Sequence, residues 1–62
     1  MSDLNNEILL YYAVRNYLIF QNHLLNYNVY NISNKLIQVF GCIIPIPIIS
    51  LAINEAKEIL QI

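Results

Sequence analysis

Few side chains in this 62-residue chain could do chemistry, and their spacing assembles no catalytic set. His23 is the single histidine. A general base needs a carboxylate to orient it and a nucleophile in reach, yet on a helix its neighbours would be Ile19, Phe20, Asn26 and Tyr27. Cys42, the single cysteine, stands beside Phe40, Ile43 and Ile44. That is the setting of a small buried hydrophobe rather than a reactive thiol. One cysteine excludes a disulfide within the chain, and one histidine with one cysteine is a poor start on a zinc site. Glu55 and Glu58 bracket Lys57, a pattern of a solvated helix face more than of paired-carboxylate catalysis. Phosphate-cradling glycine loops and nucleophile elbows are absent from the sequence. The expectation is a chain that is not an enzyme, with no cofactor, no metal and no small-molecule substrate.

Arg15, the sole arginine, is the charge that most needs an explanation. A guanidinium among aliphatics and tyrosines must reach water, a lipid headgroup or a carboxylate, because leaving a buried charge unpaired costs about 3–5 kcal/mol. In a self-associating chain the expected carboxylate is Asp3, Glu55 or Glu58 of a neighbouring copy. The five tyrosines, Tyr11, Tyr12, Tyr17, Tyr27 and Tyr30, could stack on nucleobases. Stacking platforms, however, accompany a positively charged groove, and this chain carries a net charge of −1 with no basic cluster. Nucleic acid is not an expected partner. Tyrosine equally suits membrane and protein interfaces, where one end of the ring is apolar and the other wet.

Composition favours such an interface. Charged residues are 11% of the chain and apolar residues 58%, against about 25% charged in ordinary soluble domains. The mean hydropathy of +0.52 rules out intrinsic disorder. A chain this short is at most one domain and buries only about 60% of the surface its unfolded form exposes. Small folds compensate with disulfides, a metal or oligomerisation, and here only association remains. Isoleucine, asparagine and tyrosine have A/T-rich codons, so the asparagines between 26 and 34 reflect coding bias as readily as function.

These residues must be positioned by helices. The first segment predicts a helix over 4–25, capped by Ser2 or Asp3, with Glu7 in the first turn where negative charge suits the dipole. Its apolar face, which includes Leu9, Val14, Tyr17, Leu18, Phe20 and Leu24, spans an arc of about 200°, where about 100° serves a surface helix. Ile8 and Ile19 intrude even on the polar stripe. A polar loop is expected from Asn26 through Ser33. The run 36–53 contains no charge and meets the usual criterion for a membrane span, but Pro45 and Pro47 interrupt it. Beyond them Ile49, Ile53, Ala56 and Leu60 share one face, which predicts an amphipathic helix over 47–61. What remains is an apolar segment at 35–46, expected to hold a short helix over 36–40 capped by Ser33 and stopped at Gly41. The run lies too far along the chain, without a basic cluster before it, to read as a secretory signal.

The order "NEI", "VRNYL" followed by "LLNYN", then "LIQVFG" leading into "AINEAKEIL" resembles the strand–helix–strand–Gly–helix run of Alba-type nucleic-acid-binding proteins. That resemblance implies strands at the first and third of these segments. The sequence departs from the family at Gly41-Cys42, where a basic residue is placed, and lacks its final basic hairpin.

The fold expected is therefore all-α: a long N-terminal helix, a polar loop, and a proline-broken apolar segment ending in an amphipathic helix. The function expected is a small non-catalytic accessory subunit, packed in or against a larger, membrane-embedded assembly. Its alternative is an intracellular, soluble, obligately homo-oligomeric interaction or regulatory module. Either way the interface residues are expected to be Arg15, Tyr17, Phe20, Leu24, Ile49, Ile53, Ala56 and Leu60. The partners would be other protein subunits or copies of the chain itself.

Overall fold

The computed structural model describes the backbone of residues 3–62 and the side chains of residues 6–62. They form α1 (Asp3–Phe20), a 3₁₀ helix (Asn22–Asn26), α2 (Val29–Phe40) and α3 (Ile46–Leu60). The fold is all-α, with no strand among the described residues. The segments that the Alba resemblance makes strands are helical, "NEI" within α1 and most of "LIQVFG" within α2. The expected caps of the first helix, Ser2 and the Asp3 side chain, lie outside the described residues.

The first helix is shorter than the expected 4–25. It ends at Phe20, where Gln21 leaves helical geometry at φ −104° and ψ 59°. Tighter turns follow, closed by Leu24 N–H to the Gln21 carbonyl at 3.0 Å and Tyr27 N–H to the Leu24 carbonyl at 3.0 Å. No glycine or proline marks this break. Its consequence is that the adjacent Leu24 and Leu25 both enter the core, where a straight continuation would have carried them past it.

Of the expected polar loop from Asn26 through Ser33, only Tyr27 and Asn28 lie outside a helix; residues 29–33 open α2. Asn28 caps that helix, its Oδ1 accepting from the Asn31 N–H. Val29, Ile32, Leu36 and Phe40 then recur at helical spacing, with Ile32 and Leu36 fully buried. Ser33 lies inside the helix and caps nothing. The predicted stop is observed at Gly41, which adopts φ +76° and donates its N–H to the Ile37 carbonyl at 2.8 Å.

The prolines begin α3. Pro45 is extended (φ −57°, ψ 137°), and its carbonyl accepts from Ile48 and Ile49 at 3.1 and 3.2 Å. Pro47 sits in the first turn, where a missing donor removes no helical bond. The run 36–53 is thus divided between α2 and α3 across residues 41–45. No helix among the described residues is long and apolar enough to cross a membrane.

Helix α1 packs chiefly on α3, with α2 closing one side. The core is built from Val14 and Leu18 of α1, Leu24 and Leu25 of the turn, Ile32 and Leu36 of α2, Ile44, and Ile49, Ala52 and Ala56 of α3. Ala52 and Ala56, one turn apart and fully buried, present small side chains where the helices meet. Tyr17 meets Phe40 edge-on at 5.9 Å and ties the end of α1 to the end of α2. Cys42, expected to be buried, is exposed, because the left-handed turn at Gly41 carries it outward and Ile44 fills the core instead. The accessible surface is 4237 Å², against about 4,100 Å² expected for a folded chain of 7.2 kDa. Surface area is ordinary; what covers the surface is not.

Candidate interaction surface

Helix α1 is apolar over a wider arc than α3 and α2 together can cover. Val14 and Leu18 face the core, which leaves Ile8 and Tyr12 at its edge, 45% and 46% exposed. On α3, Ile49 and Ala52 take the core positions, and their neighbours Ile48 and Leu51 are displaced towards the same edge. Between the two helices lies an open groove of about 350 Å³, lined by Glu7, Ile8, Tyr11 and Tyr12 from α1 and by Ile48 and Leu51 from α3. Its walls are mainly aliphatic and aromatic, with one carboxylate at the rim.

Arg15 stands at the same edge of α1. Its Cζ lies 4.9 Å from the centre of the Tyr12 ring, a cation–π distance. The Tyr12 ring meets Tyr11 edge-on at 5.2 Å. One terminal nitrogen of Arg15 donates to Asn16 Oδ1 at 3.2 Å. Its Nε is buried and has no hydrogen-bond partner among the described residues. Glu7 is two helical turns away, about 12 Å along the axis, and cannot reach it within one chain.

The groove offers no nucleophile–base pair. His23 is exposed on the 3₁₀ helix, and Cys42 is exposed beyond α2. Among the described residues no three of His, Cys, Asp and Glu gather in a way that could hold a metal ion. The arrangement presents apolar area, aromatic rings with hydroxyl tips, and one charge of each sign.

The expected interface residues divide into three groups. Phe20 is 80% exposed, and Arg15, Tyr17, Ile53 and Leu60 are half-buried. Leu24, Ile49 and Ala56 are buried in the chain's own core and present nothing to a partner in this fold. Helical periodicity identifies an apolar face but not which chain covers it. Of the groove residues, Tyr11 and Tyr12 were expected at an interface only as members of the tyrosine set, and Glu7, Ile8, Ile48 and Leu51 were not expected there. Two signals mark them: Glu7, Tyr11 and Arg15 follow each other at four-residue spacing, and Ile48 and Leu51 widen the apolar face of α3 beyond Ile49 and Ala52. Compared with known proteins, the chain matches no family model, no curated protein and no solved structure.

Proposed function

We propose that this chain is a small non-catalytic subunit whose role is to pack against another protein surface, with the α1–α3 groove at the centre of the contact. The observation that supports this reading most is the exposure of Ile8, Tyr12 and Leu51 around a groove bordered by the half-buried Arg15. A protein surface can supply apolar area and an acceptor side by side; at a membrane the acceptor comes from the headgroups and the apolar area from the hydrocarbon beneath them. The membrane-embedded assembly expected from composition is now supported by charge scarcity alone, since the run 36–53 is two helices.

The test is the size of the tagged chain in extracts prepared without detergent, with carbonate-washed membranes assayed in parallel. The expected result is a particle larger than the 7.2 kDa chain, reduced to free-chain size by Ile8→Glu with Leu51→Glu while helical circular dichroism is retained. A particle of free-chain size before any substitution overturns the reading.

A further inference from the structure

We infer that the surface occupying this groove is the same groove of a second copy of the chain, with the two α1 helices antiparallel and crossing at Tyr11. This rests on the reading above and names the partner. Its basis is the order of charges on α1. Glu7, Tyr11 and Arg15 lie along one i, i+4, i+8 ridge of the helix. Read in reverse, the ridge presents a positive end, the same central tyrosine and a negative end. A two-fold axis makes residue i meet j while j meets i. Placing that axis at Tyr11 sets Glu7 of each copy opposite Arg15 of the other, twice per dimer.

Three further observations fit this arrangement. Among the described residues, Glu7 is the one carboxylate that lines the groove. That favours it as the partner for Arg15 over Glu55 and Glu58, which do not line the groove; the Asp3 side chain lies outside the described residues. The Arg15 guanidinium is already held at the groove edge by the Tyr12 ring, so little side-chain freedom remains to be lost on pairing. A parallel pairing of the same ridges would set Glu7 against Glu7 and Arg15 against Arg15, which disfavours that alternative. The area required is also modest. A standard interface takes about 800 Å² from each partner, roughly a fifth of the 4237 Å² surface of this chain.

The experiment is sedimentation equilibrium on the purified full chain, wild type and charge-reversed, at micromolar to tens of micromolar concentration. Wild type is expected to dimerise. Glu7→Arg alone and Arg15→Glu alone each place like charges at both symmetric contacts and should weaken the dimer by about tenfold or more. An equimolar mixture of the two variants restores opposite charges at both contacts. It should recover dimer to within about threefold of wild type. Because the mixture is read against its own components, recovery is informative even where a single variant folds poorly alone. Unchanged dimerisation by either single variant overturns the inference, and so does a mixture that stays monomeric. A folded, monomeric wild-type chain overturns it too. If that chain still forms a large particle in extracts, the occupant is a different protein and the proposed function survives; a free-chain particle there removes both.

Discussion

The side-chain oxygen of Asn28 accepts a hydrogen bond from the Asn31 backbone N–H at 2.9 Å. That contact satisfies one of the donors that the first turn of α2 leaves without an intrahelical partner. Removing it with Asn28→Ala should cost about 1 kcal/mol, and Asn28→Asp or Asn28→Ser should keep most of it. A chain of 62 residues has only about 3–9 kcal/mol of stability to lose. Thermal unfolding followed by circular dichroism should show a midpoint lower by about 4–8 °C for the alanine variant. An unchanged midpoint would mean that α2 does not depend on its cap.

Gly41 and Gln61 make opposite demands on the same backbone region. Both are left-handed, at φ +76° and +60°, and each ends a helix. A Cβ added at Gly41 would meet nothing within 4 Å. The cost of Gly41→Ala is therefore purely conformational, about 1–2 kcal/mol. Gln61→Gly relieves a strain of the same kind and should stabilise by a similar or smaller amount. Urea unfolding checks the pair: the two midpoints should move in opposite directions with the slope unchanged.

The class of fold and the start of α3 could be read from residues whose physics is local. Pro47 suits a first helical turn, and Ile49, Ile53, Ala56 and Leu60 repeat at helical spacing whatever surrounds them. The stop at Gly41 is local for the same reason. Two features were not legible. The end of α1 at Phe20 has no breaker residue; it is set by where Leu24 and Leu25 must go to reach the core, which is a tertiary preference. The start of α2 was hidden by asparagines, which favour turns and caps alike; Asn28 caps, and Val29, Ile32 and Leu36 carry the periodic signal through Asn31 and Asn34. For the interaction surface, Arg15 stood out because a lone charge must be answered. Ile49 and Leu24 could not be told from surface residues until the fold showed them inside.

The prolines should prove dispensable as helix breakers. The left-handed Gly41 already ends α2, so Pro45→Ala with Pro47→Ala should not fuse α2 to α3. Neither proline's nitrogen is needed as a donor in the first turn of α3. The main loss is the restriction they impose on the unfolded chain, about 0.4–1 kcal/mol for each. Backbone chemical shifts should show α3 still starting near Ile46. Continuous helix from residue 36 to 53 would refute this, and would restore the run as a candidate membrane span.

Arg15 separates stability from association. Within one chain its guanidinium gains about 0.5–1 kcal/mol over the Tyr12 ring, while its buried, unpartnered Nε costs about 1–3 kcal/mol. The cost equals or exceeds the gain, by about 0–2.5 kcal/mol. Arg15→Leu should therefore leave the folding stability of the dilute monomer within about 1 kcal/mol of wild type, or raise it. At higher concentration the same change deletes the contact with Glu7 of the second copy, and the dimer should weaken. Arg15→Lys keeps the charge but loses the planar fork that can engage a carboxylate with two hydrogen bonds, so it should fall between the two. Chemical denaturation below the dimer's dissociation concentration, paired with sedimentation above it, measures both quantities. A purely structural arginine would lose stability and association in parallel. Loss of about 2 kcal/mol or more in the monomer with self-association intact would sink the assignment of Arg15 to an interface.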